Sequence, residues 1–147
     1  MVNRVLVAAF LSVITGCSFA GDPCTKGSEY EPSLCPLQLP KINKVTIVEN
    51  AAKSPAEKDI AVTCASFSVN EEQVRRYFSM AKVTDESDAH HTLDWSPCYA
   101  SGKILFSDGS TGDWNLSQFR AGSLVVSAGK KMFLYCPQCK FKPFQWQ

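Results

Sequence analysis

The chain has 147 residues, enough for one small domain. Its 15 Lys and Arg side chains nearly balance its 14 Asp and Glu side chains, giving a formal net charge of +1. This balance argues against a general nucleic-acid binder, which usually shows a basic excess or a basic stripe. The chain also has seven cysteines, and cysteine usage in so short a chain indicates the redox state of its cellular compartment.

The N-terminus has the features of a secretory signal peptide over residues 1–20. Arg4 gives a positive start, and the apolar run after it is too short to span a bilayer. The motif Ile14-Thr15-Gly16-Cys17 resembles the lipobox of bacterial exported lipoproteins. That resemblance implies cleavage before Cys17 and its lipidation, and Ser18 after it is compatible with delivery to the outer membrane. Cleavage after Ala20 is the alternative and predicts a soluble secreted protein.

Cysteine usage supports export by either route. Lipidation of Cys17, or its loss with the signal peptide, leaves an even number of cysteines, which favours a disulfide framework in a small exported domain. The sequence alone does not choose the pairing. The disulfide candidates are Cys24, Cys35, Cys64, Cys98, Cys136 and Cys139.

Residues 21–43 predict an irregular arm rich in proline and cysteine, because prolines at this density break helices and central strands. A Cys24–Cys35 bridge would close a short loop and order this arm. Alternatively, each of the two cysteines would attach the arm to the rest of the protein.

Residues 44–147 predict a single α+β domain. The β-branched segment 45–48 predicts a first strand, and residues 49–58 predict a connector. Residues 60–67 predict a second strand, since Ile60, Val62 and Cys64 would share one face at a period of two.

A helix is predicted over residues 71–82. Asn70 and Gln73 have the spacing of a capping box, and Val69 and Val74 stand at the positions of a hydrophobic staple. One apolar stripe, suited to packing on a sheet, is formed by Val74, Tyr77, Phe78 and Ala81.

The segment 101–136 predicts an antiparallel β-meander, because short apolar runs alternate with glycine-containing turns. Asp108-Gly109 and the turn at Gly129 suit hairpins whose backbone reaches positive φ. The predicted fold class is therefore α+β: a small antiparallel β-meander sheet with one amphipathic helix packed on it, stapled by disulfides.

Residues 83–96 predict a long polar connection, and such connections are often functional or mobile. It holds His90 and His91 among several carboxylates, which makes these two histidines weak candidates for a metal site. Adjacent histidines point in divergent directions, and completing a zinc site with Cys136 and Cys139 would require reduced thiols. No metal and no other cofactor is predicted.

The motif Cys136-Pro137-Gln138-Cys139 can shuttle disulfides if its first thiol is acidified, for instance at a helix N-terminus. The remaining residues 140–147 are few and contain a proline, so the sequence favours either a structural disulfide or two cysteines that are each paired elsewhere. The chain also lacks a Gly-x-Ser-x-Gly elbow and a phosphate-binding glycine loop before the helix. No catalytic residue is predicted, and the chain is more consistent with a protein that is not an enzyme.

The leading interpretation is a non-enzymatic binding or interaction protein of the bacterial cell envelope, inhibitor-like or immunity-like, whose partner is another envelope protein. The alternatives are a thiol–disulfide redox protein using Cys136 and Cys139, or a metal-binding periplasmic protein using His90 and His91. Residues 85–94 form an acidic second candidate surface. Because Trp and Tyr dominate interface energetics, the partner-binding candidates include the aromatic C-terminal tail, which would otherwise cover an edge of the sheet. They are Trp95, Tyr99, Trp114, Phe141, Phe144 and Trp146.

Overall fold

The computed structural model of the protein describes residues 23–57 and 61–145. These residues form an α+β domain with an antiparallel sheet. The strands are β1 (Cys35–Pro36), β2 (Ile42–Lys53), β3 (Lys82–Thr84), β4 (Cys98–Phe106), β5 (Thr111–Ser117), β6 (Ala121–Val126) and β7 (Lys131–Tyr135). The helices are α1 (Glu71–Met80) and the short α2 (Glu86–His91), and Pro55–Glu57 is a 3-10 turn. The seven strands lie in the order β1-β3-β7-β6-β5-β4-β2.

The helix α1 begins as the sequence predicts. The Gln73 amide donates a hydrogen bond of 2.9 Å to Asn70 Oδ1, and the Gln73 side chain accepts one of 2.8 Å from the Asn70 amide. This reciprocal pair is the predicted capping box. The helix ends at Met80, earlier than predicted, because the chain turns at Ala81 into β3, where Lys82 pairs with Tyr135.

The predicted β-meander is confirmed as β4 to β7. Gly109 and Gly129 have φ values of 84° and 82°, as their hairpin turns require. Alternate side chains of these strands lie on the face that α1 covers. Together with the apolar stripe of α1 they form the core, whose largest sheet residues are Ile104, Phe106, Trp114, Leu116, Leu124 and Leu134.

The C-terminal tail completes this core. The Phe144 ring is 2% exposed and lies 5.3 Å, centroid to centroid, from the Tyr77 ring in a stacked arrangement. It also makes an edge contact with Phe67 at 5.6 Å. Phe144 therefore contributes to folding, as expected if the tail covers the core.

The predicted strand at residues 60–67 is wrong. Residues 61–67 contain a turn and no strand, and residue 60 lies outside the described part of the chain. Val62 is 42% exposed, whereas Cys64 is buried because it is bonded to Cys98. The apolar alternation of residues 60–64 therefore does not mark one face of a strand, because Cys64 is buried by its disulfide and not by a sheet.

Two predicted connections contain regular structure. Residues 49–53 continue β2 instead of forming a connector, and residues 83–96 contain part of β3 and all of α2. The N-cap of α2 is Asp85, whose Oδ1 accepts a hydrogen bond of 2.8 Å from the amide of Asp88. None of its residues is buried, so it lacks the apolar stripe by which α1 is recognised in the sequence.

Three disulfides cross-link the described residues: Cys24–Cys35, Cys64–Cys98 and Cys136–Cys139. The first shows that the arm is closed on itself. The arm is not irregular throughout, since it contains β1, which pairs with β3. Disulfides of this number indicate an oxidising, extracytoplasmic compartment. Residues 1–22, which include the lipobox-like motif and Cys17, lie outside the described residues.

Candidate functional site

A groove of about 530 Å³ lies on the sheet face opposite α1. Because strand side chains alternate between the two faces, the residues between the core positions point into this groove. Residues 89–97, from α2 to the start of β4, line it together with Ser54 and Pro55 at the start of the 3-10 turn, and the Ser54 amide bonds to the Pro97 carbonyl. The side chains of its floor include Tyr99, Asn115, Ser117, Ser123 and Phe133.

The floor is organised by strand register. Residues directly opposite one another form one row across five neighbouring strands, in the order Glu49, Ser101, Asn115, Ser123 and Phe133. At the usual strand spacing this row is about 19 Å long. It begins with a carboxylate, continues with hydroxyl and amide groups, and ends with an aromatic ring. The exposed sheet face is therefore polar along a defined line.

Glu49 is directed by an irregular part of β2. The pairing with β4 shifts on both sides of Glu49, and Ala51 has a φ of 48°, in the left-handed region. Such bulges re-aim side chains and are frequent beside functional sites. The Glu49 carboxylate accepts hydrogen bonds from Tyr99 Oη at 3.1 Å and from Ser101 Oγ at 2.8 Å, one to each oxygen.

The surroundings of Tyr99 change the pKa of its hydroxyl group. The pKa of its hydroxyl is raised, first by desolvation and then by the hydrogen bond to Glu49 and the negative charge of that carboxylate. Tyr99 therefore stays protonated near neutral pH and acts as a hydrogen-bond donor. The pair presents a fixed carboxylate beside an aromatic ring.

Ser117 lies opposite Tyr99 in the pairing of β4 with β5 and also lines the groove. Its Oγ is buried and has no hydrogen-bond partner among the described residues. A buried hydroxyl without a partner costs about 1–3 kcal/mol, so native proteins contain few of them. Because this Oγ has almost no accessible surface, it lies beneath the floor of the groove and is not exposed to a ligand there.

The wall of the groove presents Trp95, whose side chain is 59% exposed. The residues that follow are fixed. Ser96 Oγ donates a hydrogen bond of 2.8 Å to Gln118 Oε1, and the Pro97 carbonyl accepts one of 2.8 Å from the Ser54 amide. These bonds hold the backbone that follows Trp95, and the exposed indole lies at the rim of the groove.

The other end of the row lies under α2. The His90 ring makes an edge contact with Phe133, with centroids 5.5 Å apart. Lys131 Nζ lies 4.6 Å from the centroid of the same ring. The groove therefore has aromatic groups at both ends and a positive charge at the end opposite Glu49.

The six predicted partner-binding residues are not brought together. Trp95 and Tyr99 line the groove. Trp114 and Phe144 are each 2% exposed, so they support the core and are not accessible to a partner. Phe141 is partly buried beneath Arg76, whose guanidinium carbon is 4.2 Å from the ring centroid. The sixth, Trp146, lies outside the described residues.

The alternative sites gain little support from geometry. Cys136 and Cys139 are bonded to each other and are both 0% exposed, and residues 140–145 form turns rather than a helix that could acidify a thiol. His90 and His91 are exposed on α2, and His90 Nε2 lies 3.9 Å from Glu86 Oε1. Within the described residues, no three His, Cys, Asp or Glu side chains are placed to hold a metal ion.

Sequence reasoning missed Glu49, Asn115, Ser117 and Ser123. The last three alternate with buried apolar residues on β5 and β6, and this period of two was a usable signal for a polar sheet face. Glu49 gave no such signal, because the bulges of β2 interrupt the alternation there.

Two observations complete the description of the groove. Among residues 23–57 and 61–145, no hydrogen bond joins His90 to a serine, and the serine hydroxyl that donates to a carboxylate beside the groove is that of Ser101, bonded to Glu49. None of the helices in the same residues is both long enough and apolar enough to cross a membrane.

No protein-family model matches the chain, and comparisons with curated proteins and with solved structures find no significant match.

Proposed function

We propose that this chain is a non-enzymatic binding protein of the bacterial cell envelope, and that it binds another envelope protein in the groove over the open face of its sheet. The single observation that carries the proposal is the exposed Trp95 indole at the rim of a polar groove. Exposed tryptophans are typical anchors of protein interfaces, where a few aromatic residues supply most of the binding free energy.

The floor of the groove supports binding rather than catalysis. Its row of hydroxyl, amide and carboxylate groups offers several hydrogen bonds to a partner. The groove volume of about 530 Å³ accommodates a few inserted side chains of a partner. A loop of an envelope protein, anchored by contacts with Trp95 and Tyr99, suits these dimensions.

Site-specific photo-crosslinking in living cells tests this proposal. A photoreactive amino acid replaces Trp95 in one variant and Tyr30, which is 81% exposed on the arm, in a matched control. We expect one protein adduct from position 95 that is absent from position 30, with the partner identified by mass spectrometry. Identical adducts from both positions, or none from position 95, would contradict the proposal.

The lipobox supports a second part of the proposal, that Cys17 is lipidated and anchors the protein to the outer membrane with the groove in the periplasm. Intact-mass spectrometry of the mature protein tests it. The expected mass corresponds to a chain that begins at Cys17 and carries acyl groups. A mass that corresponds to unmodified chain beginning at Gly21 would instead establish soluble secretion.

A further inference from the structure

The groove contains a carboxylate that is held in position but not neutralised. Both oxygens of Glu49 accept hydrogen bonds from neutral hydroxyl groups, those of Tyr99 and Ser101. The ion pairs among the described residues are His90–Glu86 and Lys103–Asp113, so Glu49 takes part in neither. Each of its oxygens keeps a lone pair for a further donor.

The surroundings of Glu49 favour a cation. Tyr99 and Trp95 line the same groove, and aromatic faces attract cationic groups. Asp94, also in the lining, adds a second negative charge. The lysine of the groove, Lys131, projects near Phe133 at the far end of the row, and it forms no ion pair with Glu49 among the described residues.

We infer that Glu49 and Tyr99, in the groove that Trp95 also lines, form a pocket for an arginine side chain of the partner protein. An arginine fits better than a lysine, because its planar guanidinium donates to carboxylates in a fixed geometry and stacks on aromatic rings. The inference rests on the proposed function, since it specifies the chemistry of the protein segment that enters the groove.

A titration followed by NMR tests the pocket without the partner. N-acetylarginine amide and its neutral analogue N-acetylcitrulline amide are added separately to the isotope-labelled, oxidised mature protein. We expect the arginine compound to shift the Trp95 indole signal and the Tyr99 and Ser101 amide signals, with at least a fivefold lower dissociation constant than the citrulline compound.

Two variants make the test specific. Glu49→Gln keeps the shape of the side chain and removes its charge, and we expect it to abolish the preference for arginine. The matched control is Glu86→Gln, since Glu86 is an exposed carboxylate on α2 that does not line the groove. This control is expected to retain the full preference. Both positions are exposed, so amide spectra of the two variants should otherwise match that of the wild type.

Equal binding of the two compounds, or a preference that survives Glu49→Gln, would overturn the inference. This result is separable from a failure of the proposed function, because the titration needs no partner. An adduct from position 95 that is undiminished by Glu49→Gln would likewise reject the arginine pocket while leaving the binding function in place.

Discussion

The Tyr77 hydroxyl on α1 donates a hydrogen bond of 3.0 Å to the backbone carbonyl oxygen of Arg120, between β5 and β6. Arg120 has a φ of 70°, and the same carbonyl accepts a hydrogen bond of 3.1 Å from the Cys136 amide. One carbonyl group therefore joins the helix, a turn of the meander and the end of β7. Since Tyr77 is 0% exposed, the bond lies in the core and is protected from water.

The variant Tyr77→Phe should lower the free energy of unfolding by about 1 kcal/mol, the usual net value of one buried hydrogen bond. The loss is moderate because the Arg120 carbonyl keeps its bond to the Cys136 amide. Urea unfolding at pH 7 measures the change. Tyr30→Phe, at an exposed position of the arm, serves as the control and should leave the midpoint unchanged. An unchanged midpoint for Tyr77→Phe would show that the bond contributes nothing.

Stability should also fall in alkali because of Tyr77. Burial, and to a smaller extent the nearby Tyr135, raises the pKa of the Tyr77 hydroxyl above its ordinary value of 10.0. Above pH 10 the unfolded chain releases this proton while the folded protein retains it, so the folded state loses stability by about 1.4 kcal/mol per pH unit. Below pH 10 both states are protonated and the effect vanishes.

The comparison of wild type with Tyr77→Phe isolates this contribution. Between pH 8.5 and 11 the free energy of unfolding of the wild type should fall by about 1 kcal/mol more than that of the variant, because residue 77 cannot ionise in the variant. Urea midpoints at the two pH values provide the measurement. Parallel losses in the two proteins would mean that Tyr77 ionises equally in the folded and unfolded states.

The parts of the fold that the sequence predicts correctly are specified by neighbouring residues. Asn70 and Gln73 define the start of α1, and the glycines of the hairpins define the meander. The parts that it does not predict depend on distant contacts. Cys64 looks like a strand position because its burial comes from Cys98, and β2 is interrupted where its bulges direct Glu49 toward the groove. Of the residues that line the candidate site, Trp95, Tyr99, His90 and part of the acidic segment 85–94 were visible in advance, whereas the polar side chains of the strands were not.

The disulfides should differ in their effects on stability. The Cys64–Cys98 bond links residues 34 positions apart, whereas Cys136–Cys139 links residues 3 apart. Because a longer closed loop restricts the unfolded chain more, replacing the first pair by alanine should cost about 4 kcal/mol, and replacing the second about 2 kcal/mol. Urea unfolding of the two double variants measures the order. If the two double variants lose equal stability, or if the order of their losses is reversed, contacts in the folded state outweigh loop closure.

The last prediction concerns Gly102 on β4, which lies close to the backbone of the neighbouring strand β2 and to the core residue Trp114. A Cβ atom at this position would overlap the Thr46 carbonyl oxygen and would lie 2.7 Å from Cζ2 of the Trp114 indole. Neither neighbour can yield easily, since Trp114 is 2% exposed and its Nε1 donates a hydrogen bond of 3.2 Å to the Lys103 carbonyl. Gly102→Ala should therefore destabilise the protein by about 3 kcal/mol, at the upper end of ordinary overpacking effects.

A second glycine provides the matched control. Gly109 has a φ of 84°, but a Cβ atom there would meet nothing within 4 Å, so Gly109→Ala introduces only conformational strain of about 1 kcal/mol. The Gly102 variant should also weaken the Glu49–Ser101 contact, because any separation of β2 from β4 moves the two hydrogen-bonding groups apart. Thermal unfolding and the Ser101 amide signal together measure both effects. If Gly102→Ala and Gly109→Ala are equally stable, the close approach of β2 to β4 at Gly102 does not hold these two strands together.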